Sequence, residues 1–385
     1  MSGSKAFIIA ARRSANGRLG GLHRNRRLED LAGPVLAQTL ADAGIAASRV
    51  DQLILGNTSA GGNPARLVGL VAGLPDRAVA TTVDRQSASG LEAILWAIRT
   101  IGAGEAEVIA AGGAEALSTA PWRLAKPRTL VHMPRFVGIA QADDGDGGEQ
   151  STIEASEALA ARLGIGRSQQ DELAMASHIK ATLARDGRRL AKEIVALRTK
   201  AEESRDELVG EPDIEDMESY PAFLGEGTLT AGNTALPADG AGFVIAVSER
   251  VHRELGSPPA LVLDGVASLG VPPGSDIEAP VLAARALEAR LGAGTLGRLG
   301  AIELAERSAL QTLVTLDALG LDDGLVNADG GQVARGEPAG AAGAILVVRL
   351  FSRLVRSDKP PSNGNGAALV GAAGGQGLAA RFSRA

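Results

Sequence analysis

The residues best suited to chemistry lie in Val83-Asp84-Arg85-Gln86-Ser87-Ala88-Ser89-Gly90-Leu91-Glu92-Ala93-Ile94, where an apolar run gives way to small and polar residues and then to a helical pattern. Ser87 stands at the turn. A hydroxyl between a strand and a helix N-terminus points out of a sheet, beside backbone N–H groups that can hold an acyl oxygen or another anion. That placement suits a nucleophile in acyl transfer. The Gly-x-Ser-x-Gly pattern of a nucleophile elbow is absent. Ser is also an ordinary helix N-cap, and the local sequence taken alone favours that reading. A second candidate is Trp122, Arg123, Lys126, Arg128, His132 and Arg135, in a stretch with no Asp or Glu between Ala116 and Ala142. Such a local positive patch suits a phosphorylated ligand such as a nucleotide, and is equally compatible with a solvated loop. The acidic run Asp143 to Glu149 lacks EF-hand spacing and reads as a turn. His178 falls inside a helical pattern and reads as packed rather than catalytic.

These candidates need elements to hold them. The 385 residues suffice for two or three domain-sized units. With 45% hydrophobic and 22% charged residues the composition is that of a soluble globular protein. Aromatics are only 2%, so small side chains in close layers must do the packing. A net charge of −6 without a long basic block argues against a nucleic-acid partner and for small molecules. There is no cysteine, which removes disulfides, thiolate metal sites and covalent chemistry on sulfur. No signal segment and no apolar run of about 18 residues is evident, so a cytoplasmic protein without membrane contact is expected.

Short apolar strands at Lys5 to Ala11, Val50 to Gly56, Ala78 to Val83 and Glu107 to Gly112 alternate with helical stripes, notably Leu28 to Ala43 stopped by Gly44. Ser168 and Asp171 are placed to cap a helix over Ser168 to Arg185. Strands apolar on both faces predict an α/β protein with a largely parallel, helix-covered sheet. The second half echoes the first: Pro280-Val281-Leu282-Ala283 repeats Pro34-Val35-Leu36-Ala37, and Leu369 to Gly374 resembles Val108 to Gly113. Duplication with an insertion from Leu117 to Gly227 follows, with a site expected where the halves meet.

Those segments resemble the thiolase family of acyl-CoA acyltransferases over nearly the whole chain. The matching runs are Ala10-Ala11-Arg12 with Gly20-Gly21, Ile54 to Asn57, Gly62 to Arg66, Arg85 to Leu91, Gly112 to Glu115, Thr230 to Asn233, Asp239 to Ala241, Asn327 to Gly331 and Gly374 to Gly377. The resemblance implies two stacked βαβαβαββ halves in αβαβα layers. One half is 1–117 with 226–257, the other 258–385, and 118–225 forms a lid over coenzyme A. It implies an acyl-CoA ligand, phosphate contacts from the stretch Arg123 to Arg135, with Arg123, Lys126, Arg128, His132 and Arg135 as the candidates and none singled out, and a homodimer or dimer of dimers paired through the strand before Ser87. A partner protein subunit is a further expectation.

At the site positions the chain departs from the family. Ser87 stands for the nucleophilic Cys, Glu337 in Gly336-Glu337-Pro338 for the activating His, and Gly371 for the second Cys that serves the carbanion step. Ala305-Glu306-Arg307-Ser308 replaces Asn-Glu-Ala-Phe, whose Asn holds a water, and Ala235 replaces the Ser that touches pantetheine. A hydroxyl needs an adjacent base, which Glu337 can supply, although a carboxylate is a weak base near neutral pH. With no group at Gly371, ordinary thiolysis and Claisen condensation lack an agent. Two readings stay open. One is acyl transfer through Ser87, with N–H groups around Ser87 and Gly377 holding the oxyanion. The other is a non-catalytic acyl-CoA-binding or scaffolding subunit. Replacing Ser87, Glu337 and Gly371 together by Cys, His and Cys is expected to return a trace of thiolysis, and Ser87→Cys alone none.

Overall fold

The apolar runs become strands and the periodic stripes become helices in a computed structural model that describes residues 5–127, 129, 133–137, 148–197 and 204–385. The first half runs β1 (Ala6–Arg13), β2 (Gly17–Arg18), α1 (Leu28–Asp42), β3 (Gln52–Gly56), α2 (Pro64–Val71), β4 (Val79–Val83), α3 (Ser89–Ala103) and β5 (Val108–Glu115). The insertion holds β6 (Leu124–Ala125), β7 (Arg135–Phe136), α4 (Gly148–Leu163), α5 (Arg167–Asp186) and α6 (Ile214–Ser219). After β8 (Ala238–Ser248) and α7 (Glu249–Glu254) the second half runs β9 (Leu261–Gly270), α8 (Ala279–Leu291), β10 (Ala301–Ala305), α9 (Ala309–Leu319), α10 (Gln332–Arg335), α11 (Ala339–Phe351), β11 (Asn365–Ala372) and β12 (Gln376–Arg384).

The strands lie in the order β4-β3-β5-β8-β1 in one half and β9-β12-β11-β10 in the other, joined where Ile8 pairs with Leu261. Numbered within each half, both read 2-4-5-1 outward from the second strand, which is the structural form of the sequence repeat. The first half adds β4 as a third strand. In the second half that strand is reduced, among the described residues, to Val326 bridging Ile302. The first half is thus a full βαβαβαββ unit, and the second repeats it with its third strand reduced to that bridge. The sheet is also mixed rather than largely parallel: β3 is parallel to β4 and β5, and β10 to β11, while β1, β8, β9 and β12 pair antiparallel. Apolar runs report burial on two faces, not strand direction, so the sequence pattern could not separate these cases.

Two helices fill the centre. Ile94 and Leu95 of α3 and Val347 and Val348 of α11 share one core with Ile54 and Ile109 from the first half and Val370 and Leu378 from the second. On the outer face of the first half Leu31, Val35 and Val68 of α1 and α2 pack on Leu53, Leu55 and Phe243. On the outer face of the second, Ala283 and Leu287 of α8 pack on Ile302 and Leu369. The result is five layers, αβαβα. The central helices approach closely: a Cβ at Gly343 would lie 2.7 Å from the Leu91 Cβ, and one at Gly90 would lie 2.8 Å from the Ala344 nitrogen. Small residues thus substitute for aromatic bulk at the crossing.

The insertion lies against the second half, with Leu159 and Ala160 of α4 on Val281, Leu310 and Val314. Helix α5 begins after Gly166 rather than on a Ser168 cap. Ser168 bonds Glu172 at 3.1 Å, and Asp171 accepts from Asn233 at 2.8 Å. His178 is packed, its Nδ1 accepting from the Gly210 N–H at 3.2 Å, and burial lowers its pKa. Among the described residues no helix is long and apolar enough to cross a membrane.

Candidate active site

Strand β4 delivers the chain to a tight turn in which Gln86 takes φ +50°, a conformation uncommon for a residue with a side chain. Helix α3 begins only at Ser89, with Ala88 in the cap position and no side-chain cap. Ser87 is therefore not a capping residue. The residue is 7% exposed, and its hydroxyl donates instead to the Glu337 Oε1, 250 residues along the chain. The candidate nucleophile and candidate base read from the sequence are in direct contact.

The Glu337 loop is held from both sides. Its N–H donates to the Leu236 carbonyl at 2.8 Å, and the Ala238 N–H donates to its carbonyl at 3.1 Å. Three residues on, the Gly340 N–H donates to Glu115 Oε2 at 2.9 Å. Glu115 also accepts from Asn57, from the Thr58 N–H and hydroxyl, and from Ser59. Burial pushes this carboxyl up in pKa, and the donors around it oppose the shift. Glu115 thus ties the start of α11 to the end of β3. The Arg85 guanidinium fixes the other flank of the turn, reaching Glu92, Gln376 and Ser268 at 2.8 Å each.

In the second half, Asp276 lies against the turn between β11 and β12. Its Oδ1 accepts from the Gly375 N–H at 2.7 Å, and its Oδ2 lies 3.4 Å from the Arg307 guanidinium. Burial pushes Asp276 up in pKa, against the pull of Arg307 and of that N–H. The Arg307 carbonyl accepts from the Ala235 N–H at 2.9 Å. A closed circuit of contacts results: Ser87 to Glu337, Glu337 to Leu236, Ala235 to Arg307, Arg307 to Asp276, Asp276 to Gly375, and Gln376 to Arg85, two residues before Ser87. Sequence reasoning missed Asp276, which lies in no motif, and passed over Arg307, whose signal was a cation within a motif otherwise read for its lost Asn.

The N–H groups of Ala88 and Ser89 close the turn by donating to Arg85 and Gln86 carbonyls at 3.1 and 2.9 Å, so they are not free for an acyl oxygen. Gly377 lies in β12 and pairs with Gly371 on one side and Leu269 on the other, so its backbone belongs to the ladder. Gly371 has no room for a side chain, since a Cβ there would lie 2.5 Å from the Asp276 carbonyl oxygen. Ala305, 1% exposed, closes β10 and brings no polar group. Arg123 is half-buried and donates one bond, to the Thr58 carbonyl. Lys126 is exposed, Ala235 is half-buried, and Arg135 lies in β7 opposite Ala125. Arg128 and His132 lie outside the described residues.

Comparison with known proteins bears on both halves. Residues 6–250 match the family profile described as the thiolase N-terminal domain, and residues 258–384 that of the thiolase C-terminal domain. A Bacillus subtilis protein with the provisional name acetyl-CoA C-acetyltransferase YhfS is 37% identical over 386 residues, 98% of each chain. A Pseudomonas aeruginosa acetyl-CoA acetyltransferase is 33% identical over 398 residues, again 98% of each. The crystal structure of the Bacillus anthracis acetyl-CoA acetyltransferase superposes with a TM-score of 0.92 at 30% identity and covers 100% of both chains. Sequence and fold agree end to end, and the chain belongs to the thiolase family.

Proposed function

We propose that this chain binds acyl-CoA and takes the acyl group onto Ser87 as an oxygen ester, with Glu337 as its base. The observation that carries this reading is the Ser87 hydroxyl donating to Glu337. In the forward step the Ser87 oxygen attacks the thioester carbonyl while its proton passes to Glu337. Collapse of the tetrahedral adduct breaks the C–S bond, and the CoA sulfur leaves as a thiol with the proton that Glu337 holds. Water or another acceptor then releases the acyl group by the reverse proton path. Carbon–carbon chemistry is not part of the reading, because the chain has no cysteine and the space at Gly371 is closed.

A second reading, a non-catalytic acyl-CoA-binding subunit, is favoured by the engaged N–H groups of Ala88 and Ser89 and the ladder position of Gly377. Losing an oxyanion donor typically slows acyl transfer by about 3 kcal/mol of barrier. Intact-protein mass spectrometry after mixing with a panel of acyl-CoA thioesters separates the two. An acyl adduct localised to Ser87, absent from Ser87→Ala and formed about 100-fold more slowly in Glu337→Gln, is the expected result. Saturable binding without an adduct establishes the second reading instead.

A further inference from the structure

We infer that Arg307 is a recognition group for a carboxylate on the acyl chain, so that the substrates of this site are CoA thioesters of acidic acyl groups. The inference rests on the acyl-CoA reading above and specifies its substrate class. Arg307 stands on the circuit of contacts that includes Ser87 and Glu337, with its backbone carbonyl against Ala235 and its side chain at Asp276, beside the Gly371 to Gly375 turn. The neighbouring Ala305 and Gly371 offer no polar side chain. The thiolase motif quoted above has Ala where this chain has Arg307, and an acetyl group gives a cation nothing to hold.

The hydrogen bonding of Arg307 is incomplete in a way that points to a ligand. A guanidinium has five N–H donors in a planar fork suited to bidentate contact with a carboxylate. Arg307 makes one side-chain contact, to Asp276 Oδ2 at 3.4 Å. The other Asp276 oxygen is taken by the Gly375 N–H, so Asp276 does not offer a fork-to-fork pair. The remaining Arg307 donors have no protein partner among the described residues, and the side chain is 22% exposed. Asp276 holds the cation loosely at one edge, and the fork is left for a second carboxylate, which forms short, charge-assisted bonds there.

The test compares succinyl-CoA with butyryl-CoA, which match in chain length and differ in the terminal carboxylate, and adds free CoA. Dissociation constants are measured by calorimetry on full-length Ser87→Ala protein, which prevents acyl transfer. Succinyl-CoA is expected to bind about tenfold more tightly than butyryl-CoA. Arg307→Gln is expected to bring that ratio to about one while leaving butyryl-CoA and free CoA unchanged, and Arg307→Lys to keep part of the preference, which controls for folding. A ratio of one in the parent, or one that persists in Arg307→Gln, overturns the inference alone. Equal losses for all three ligands overturn it in favour of a contact to CoA phosphates. If none of the three binds, the acyl-CoA reading falls, and the inference with it.

Discussion

Beside Glu337, a hydroxyl and a thiol would behave differently. A carboxylate next to a thiol opposes formation of the thiolate, because like charges disfavour each other, whereas an imidazolium favours it. Ser87→Cys alone is therefore expected to show no measurable loss of acetoacetyl-CoA in a thiolysis assay. The sequence suggested that adding Glu337→His and Gly371→Cys would return a trace. The structure changes that expectation, since the new Cβ would meet the backbone oxygen of Asp276 at 2.5 Å. The triple variant should be inactive and should unfold at lower denaturant, by roughly 1–3 kcal/mol of overpacking. A competent Ser87→Cys enzyme would contradict the assignment of Glu337 as the partner of residue 87. The Ser87–Glu337 couple was legible in the sequence because each residue sits in a motif whose neighbours survive. Asp276 and Arg307 meet only through the packing of 271–276 against the β11–β12 turn, and no local pattern records that.

At the level of elements, helix and strand positions were readable from periodicity. Helix α1 ends at Asp42, one residue short of the expected end, with Gly44 at φ +64° beyond it. Strand direction and the lost third strand of the second half were not readable, because the same apolar runs serve either arrangement. Also unreadable was the ion-pair cluster that ties the insertion to β1 and α11. Arg13 pairs with Glu193 at 2.8 Å and Asp206 at 2.6 Å, and Arg349 with Glu193 at 2.5 Å and with Asp329. Burial alone would raise the Asp206 carboxyl, but Arg13 and Arg335 more than reverse this and hold it at about 2, below its ordinary 3.8. A depressed carboxylate stabilises the fold above its unfolded pKa, and that contribution is lost as pH falls toward the folded value. For Asp206 this amounts to roughly 2 kcal/mol, lost between about pH 4 and 2. The buried Glu115, Glu303 and Glu306 are shifted upward by burial and so do not add to acid lability. Urea midpoints measured from pH 6 to 3 should fall for the parent protein. Asp206→Asn should be less stable at pH 7, where Arg13 loses a partner, yet show a shallower acid slope. Equal slopes would remove Asp206 from the account.

Across the whole molecule, the two ends of the ten-stranded sheet are finished differently. At one end the segment around Val326 lies along β10, with the Ile302 N–H donating to Leu325 at 3.1 Å and the Asn327 N–H to Ile302 at 2.9 Å, so the outer rim is already occupied. At the other end β4 is paired with β3 alone among the described residues. A sheet with two open rims can recruit copies without limit, as fibres do, whereas a sheet with one can recruit once. We therefore expect association through Val79 to Val83 to terminate at a closed pair related by twofold symmetry, with larger assemblies built from pairs through other surfaces. Light scattering at micromolar concentration should give the mass of two or four chains, and a lone chain or an open-ended series would each count against it. The covered end, more than the exposed one, then sets the stoichiometry.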